Sequence, residues 1–453
     1  METQMMRRSW WLVGLAGWIC GAVSLPPAHA AEVPPVASFS ANVAIEWFDL
    51  ATRVAQLTPG NSPPVVSRSF AYMAVTLHES VIAGMPGHKA LAGQLNELQS
   101  LPPAQPDEAY HWPTVAHAAL GTMVRMMFPN ATAEMKARID TLDRELPLKH
   151  AADFEAVRLD VERGIRSTTH GKLLAMAVMT WARTDGGHEN FLPAKAFPSK
   201  YLAPSGPGRW VPTPPRYDRA LLPYWGRNRT FTPGEASGCA PPPPPAYSEE
   251  AGSPFYREAE EVWRISTQAT QAQRQAALYW ADDAGKTPTP PGHWIFILND
   301  LLRERRATLE VAAVAYAQLS MAMADAFIGC WAVKYRDNLV RPVTYVQQVF
   351  DSQWLPPLME TPPFPEYSSG HSVQSAAAAS VLGALFGERT AFTDNTHNDR
   401  GWGPRRFESF AEAAQEAALS RLYAGIHYRS AVELGQVQGR CIASRVLGLR
   451  WRE

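Results

Sequence analysis

Residues 368–386 read Ser-Ser-Gly-His-Ser-Val-Gln-Ser-Ala-Ala-Ala-Ala-Ser-Val-Leu-Gly-Ala-Leu-Phe. From Ser372 to Phe386, Ala, Val, Leu and Phe dominate and no Pro intervenes. Such a run is expected to form a buried helix. The apolar, Pro-rich stretch Thr361-Pro-Pro-Phe-Pro-Glu-Tyr367 leads into it. Ser369, Gly370 and His371 therefore fall on the turn that opens the helix. Unpaired N–H groups and the helix dipole make such a turn an anion site. Gly370 lets the backbone come close to a ligand, and His371 moves protons near neutral pH. An oxyanion site is expected here, completed by Lys334, Arg341, Arg421 and His427.

Outward from this turn, helical patterning continues in both directions. Phe70–Ala83 is apolar nearly all round, the mark of a buried helix. His78 and Glu79 within it lack the HExxH spacing of a metal site and are expected to be a satisfied core pair. Further helices are expected over Thr132–Glu145, His170–Thr184, Arg257–Trp280 and Asn299–Val340, the last broken near its middle. Residues 186–247 are rich in Pro, Gly and aromatics and are read as a packed connection between two halves. Ala324-Asp-Ala-Phe-Ile-Gly329 echoes His78-Glu-Ser-Val-Ile-Ala83, the trace a duplicated bundle would leave. Strand patterns are nearly absent. The expected fold is all-α, two related four-helix-type bundles, with an N-terminal half at 31–185 and a C-terminal half at 248–453 that carries the site.

Composition sets outer limits. The chain has 453 residues and a formal net charge of −1, so no basic field points to nucleic acid and any anion binding must be local. Residues 1–30 read as a signal peptide: Arg7 and Arg8, an apolar stretch from Trp10 to Leu25, then Ala28-His29-Ala30 before the cleavage point. Export to the periplasm or the medium is expected. No later segment is read as a membrane span. Cys239, Cys330 and Cys441 remain after cleavage, enough for one bridge at most, and Cys330 is read as a core thiol.

The remaining site residues form a constellation. Lys334 and Arg341 are seven apart on what reads as one helix ended by Pro342, which would put both on one face. Ser420-Arg421 lies late in a second helix that Gly425 stops. His427 falls on the turn before a third, where Ser430 and Glu433 read as a capping box. His397 sits in a polar loop and is read as a solvent-exposed histidine.

Taken in order, Lys-x6-Arg-Pro, Ser-Gly-His and Ser-Arg-x5-His resemble the vanadium-dependent haloperoxidases and the related acid phosphatases of the type 2 phosphatidic acid phosphatase superfamily. The resemblance is closest from Leu278 to Gly439 and takes in Leu278-Tyr-Trp-Ala-Asp-Asp283, Trp331 and Phe364-Pro-Glu-Tyr367. It implies that Lys334, Arg341 and Arg421 hold the equatorial oxygens of vanadate, or of phosphate in the same place. Ser369 and the Gly370 N–H donate further hydrogen bonds, His427 bonds vanadium or attacks phosphorus, and His371 is the acid–base opposite. Lys334 also polarises the oxygen to be transferred. Asp283 is implied to orient the site through Arg421 or His371, and Trp331 and Phe364 to line the halide side. Two positions depart from the family pattern: Ser368 stands where Pro is usual, and Ala431 where many members carry an Asp to orient the histidine.

Three functions are open at this level. A haloperoxidase would oxidise halide with hydrogen peroxide at a His-bound vanadate. An exported acid phosphatase would split a small phosphate monoester through a phosphohistidine. A non-enzymatic helical protein would merely hold an anion. The match around Asp283, Trp331 and Phe364 favours the haloperoxidase.

Overall fold

The computed structural model describes residues 34–453, the side chains of 156–159 and 236 apart; the signal-peptide reading of residues 1–30 lies outside them. Residues 34–453 form one compact unit. Its first part carries α1 (Asn42–Leu57), α2 (Pro63–Val81), α3 (Trp112–Met127), α4 (Ala133–Lys149), α5 (Ala151–Leu159) and α6 (Val161–Ala182). A short α7 (Pro193–Ala196) lies in the connection. Then follow α8 (Pro254–Thr267), α9 (Gln271–Tyr279), α10 (Thr289–Glu304), α11 (Leu309–Asp337), α12 (Pro342–Val349), α13 (Gly370–Phe386), α14 (Phe410–Tyr423) and α15 (Arg429–Leu447). The all-α expectation holds among the described residues, apart from one hairpin, β1 (Phe392–Asp394) with β2 (Arg405–Phe407), in which Phe392 faces Phe407 and Asp394 faces Arg405.

Local chemistry sets the boundaries. Thr308, Ser369 and Ser409 each accept a backbone N–H from the first turn of α11, α13 and α14, which satisfies one of the donors a helix start leaves open. The stretch expected as one helix over Arg257–Trp280 is two, because Thr270 and Gln273 form a reciprocal capping box that restarts the chain as α9. Asn299–Val340 is not broken near its middle as expected: the break falls near its start, between Glu304 and Leu309, and α11 runs on unbroken to Asp337. The capping box expected at Ser430 is not present: Tyr428 is the cap residue of α15 without a side-chain bond, and Glu433 instead pairs with Arg429 at 3.2 Å.

The core centres on α11. It packs against α2 on one side and α13 and α15 on the other, while α3 and α6 enclose α2 and α14 flanks α13. Contrary to the sequence reading, α11 is long and apolar enough to cross a membrane. Its most apolar window is 89% buried inside the protein, so that surface is already used in packing.

The echoed segments of α2 and α11 share more than their letters. Glu79 accepts the backbone N–H groups of Leu91 and Ala92 at 2.8 and 3.3 Å. Asp325 accepts those of Phe231 and Thr232 at 2.7 and 3.0 Å. Each buried carboxylate thus pins a loop to its own helix. Glu79 also meets His78 Nδ1 at 3.0 Å, the expected core pair. The connection is packed as expected: Trp210 and Trp225 are buried, Trp210 N–H donates to the Asn338 carbonyl at 2.8 Å, and Cys239 is bridged to Cys441 on α15. Cys330 is a free, buried thiol.

Candidate active site

Four segments converge at one end of α13. The sequence reading placed Lys334 and Arg341 on one helix; they are not. Asn338 adopts a left-handed conformation (φ 49°) and ends α11 at Asp337, so Arg341 opens α12 as its cap residue. The two cations still meet the same segment. Lys334 Nζ donates to the carbonyls of Pro365 and Glu366 at 3.0 and 2.9 Å. Arg341 Nε donates to the Phe364 carbonyl and Nη1 to that of Ile426, both at 2.8 Å.

Lys334, Arg341 and Arg421 are all fully buried. Burial pushes Lys334 down to about 8 and the two arginines down to about 10. Their bonds to the protein go mostly to neutral acceptors: Arg421 binds Ser420 Oγ, Met359 Sδ and the Ala277 carbonyl. Arg341 Nη2 has no partner, and Lys334 has one of its three donors left over. Buried cations with unspent donors are costly unless an anion joins them.

His427 decides what kind of anion site this is. Its Nδ1 lies 2.7 Å from Glu366 Oε1, which also accepts the Tyr428 N–H at 2.9 Å. Its Nε2 lies 3.4 Å from Arg341 Nη1. A guanidinium only donates, so Nδ1 carries the proton and Nε2 presents its lone pair. Burial, then Arg341 and Lys334, holds the ring well below the ordinary imidazole range. Glu366 is the orienting group that the Asp-to-Ala change at 431 left unnamed. Ala431 instead uses its carbonyl, accepting the Ser369 N–H at 3.1 Å. The hydroxyl of Ser368, at the other departure, donates to Gln438 Oε1 at 2.6 Å.

Arg421 and His427 of this set face a cavity of about 710 Å³. Gly370, His371, Arg421 and His427 line it; Lys334, Arg341 and Ser369 do not. His371 Nε2 has no partner. Burial first and Arg421 second push this ring down to about 3, against a hydrogen bond to the Trp280 backbone. Trp331 and Phe364 also line the cavity, their rings 4.9 Å apart. Lys334 Nζ stands 5.1 Å from the Phe364 ring centre.

The family-model comparison matches residues 314–450 to the VCPO second helical-bundle domain. No curated protein sequence matches. Among solved structures, a bacterial vanadium-dependent iodoperoxidase superposes with a TM-score of 0.80 at 34% identity, over 92% of this chain and 98% of that one. The chain belongs to the vanadium-dependent haloperoxidases. Holo and apo structures of a bacterial vanadium-dependent chloroperoxidase share the fold at 16% and 15% identity, each with a TM-score of 0.62. They cover 87% and 84% of this chain and 92% of their own.

In this haloperoxidase two adjacent carboxylates, Asp282 and the expected Asp283, line the cavity with Arg421. Asp283 has a side chain 49% exposed and pairs with Lys286 at 3.2 Å. Asp282 is the buried one, and it acts more strongly than Asp283 to raise Arg421 against burial. Behind it lies a cluster that sequence reasoning missed. His293 Nδ1 is 2.9 Å from Asp282 Oδ2 and its Nε2 is 2.7 Å from Asp394 Oδ2. His397 Nε2 lies 3.3 Å from Asp282 Oδ1. His397 is buried, not solvent-exposed as its polar loop suggested; the hairpin folds it back onto the Tyr279 ring at 4.9 Å. No spacing rule connects 282, 293, 394 and 397, so only the fold reveals them.

Proposed function

We propose that the enzyme oxidises halide with hydrogen peroxide, using vanadate held by Lys334, Arg341, Ser369, the Gly370 N–H, Arg421 and His427. The observation that carries this is the His427 lone pair at Nε2, 3.4 Å from Arg341 Nη1, on a ring fixed by Glu366 among three buried cations. The donor set fits a multiply charged oxyanion with one open coordination position: Arg341 Nη2 is unpartnered, and charge-assisted bonds from Lys and Arg to oxyanion oxygens are of the strong class. Bound vanadate supplies a Lewis-acid centre that activates peroxide without changing its own oxidation state.

The chain's own groups do the rest. Glu366 keeps the Nδ1 proton in place so that Nε2 of His427 stays a ligand atom. His371, neutral because of its burial, accepts a proton from peroxide at Nε2 and returns it as the oxygen leaves. Lys334 draws charge from the oxygen to be transferred, and the Trp331 and Phe364 rings keep bulk water from it, which strengthens that pull. Halide enters on this apolar side and leaves as hypohalous acid.

Iodide is the first halide to test, since the solved iodoperoxidase is 34% identical. Purified protein loaded with orthovanadate should oxidise iodide with peroxide, and the unloaded protein should not. If it splits a phosphate monoester, is inhibited by vanadate and oxidises no halide, the site is a phosphatase. Export is part of this reading, supported by the Cys239–Cys441 bridge, which suits an oxidising compartment. N-terminal sequencing of the native protein should begin at Ala31.

A further inference from the structure

Met359 is the one methionine among the residues lining the cavity. It is half-buried, and its Sδ lies 3.3 Å from Arg421 Nη1. A thioether is a weak acceptor, so Arg421 is only lightly held there. The sulfur is also the softest nucleophile facing the space into which hypohalous acid is released. We infer that Met359 is a modification site: the enzyme's own product oxidises it to the sulfoxide, and this loosens the oxyanion site through Arg421. The inference rests on the haloperoxidase reading, because the oxidant is the hypohalous acid.

The step balances. Sulfur attacks the halogen and the halogen–oxygen bond breaks, with water then replacing halide on sulfur. Two electrons pass from sulfur to the halogen, the sulfoxide oxygen is gained, and one halide and one proton leave overall. The change converts an apolar side chain into a polar one. The new oxygen is a strong acceptor placed where a weak one was, against a guanidinium whose donors serve the oxyanion. Arg421 then turns toward Met359, and vanadate loses about one charge-assisted hydrogen bond, worth roughly tenfold in affinity.

Two readouts test this on the full, vanadate-loaded protein. The first follows peptide masses during turnover with peroxide and iodide, with peroxide alone as control, while iodide oxidation is recorded in the same tube. Met359 should gain one oxygen before Met176, which is 48% exposed on α6, and should not do so with peroxide alone. If iodide is oxidised while Met359 stays unmodified or lags Met176, the inference fails by itself. If no iodide is oxidised, the haloperoxidase reading fails and takes the inference with it. The second readout is orthovanadate binding by calorimetry to the same protein stripped of vanadate, taken before turnover, after it, and after reduction by methionine sulfoxide reductase. Affinity should fall about tenfold and recover, whereas Met359→Leu should show no change between treated and untreated samples. Unchanged affinity in oxidised wild type would overturn the link to Arg421.

Discussion

His427 and His293 are both buried, and each has a carboxylate oxygen 2.7 Å from one ring nitrogen. They differ in what meets the other nitrogen. For His293 it is a second carboxylate, Asp282; for His427 it is a guanidinium, Arg341. Against the cost of burial, the two carboxylates raise His293 to about 10 and keep it an imidazolium. The cations around His427 drive it the other way. One histidine is closed, with both nitrogens donating, each to a carboxylate. The other is open, with a lone pair and unmatched cations nearby. Burial alone does not separate a structural histidine from a ligand; its second neighbour does.

The sharpest break of this contrast is His427→Ala. Vanadate-dependent iodide oxidation should fall on the order of a thousandfold in kcat/KM, while the midpoint of unfolding in urea stays close to wild type. His293→Ala should do the reverse. It leaves Asp282 and Asp394 buried without their cation, and stability should drop by about 3–5 kcal/mol in chemical denaturation. Equal damage to stability from both variants would erase the distinction.

Glu366→Gln sharpens it further. The amide cannot hold the Nδ1 proton as a carboxylate does, and vanadate affinity should fall about 10- to 100-fold by titration. The pH dependence has a defined sign. His293 has its folded value raised to about 10, so its contribution is complete below its unfolded value of about 6.5. It is lost as pH rises toward 10. The stability gap between wild type and His293→Ala should therefore shrink from pH 7 to pH 10. The smallest effect belongs to Asp283→Asn: an exposed pair with Lys286 is worth less than about 1 kcal/mol, and iodide oxidation should stay within about twofold.

What was legible followed short-range rules. The helix start at Ser369-Gly370-His371 could be read because capping and anion binding depend on adjacent residues. Lys334, Arg341, Arg421 and His427 were found by their order along the chain. The wrong details came from longer-range physics. Helical periodicity carried Lys334 to Arg341 straight through Asn338, whose left-handed turn is permitted to Asn without Gly. Glu366 was in plain view before the Ser-Gly-His turn, but its partner is 61 residues away. His397 looked like a loop residue because the hairpin that buries it is held by Phe392 facing Phe407, too short a ladder to announce itself.

The bridge between Cys239 and Cys441 spans 202 residues. Every segment of the site from Asp282 to His427 lies within that span. A covalent loop of this size removes about 5 kcal/mol of freedom from the unfolded chain on the entropy model. It also changes what a single cut does. A protease acting on the exposed tip at 398–402 would place Lys334, Arg341 and His371 on one fragment and Arg421 and His427 on the other. The two fragments would still travel as one molecule under non-reducing conditions and part only when a reductant is added.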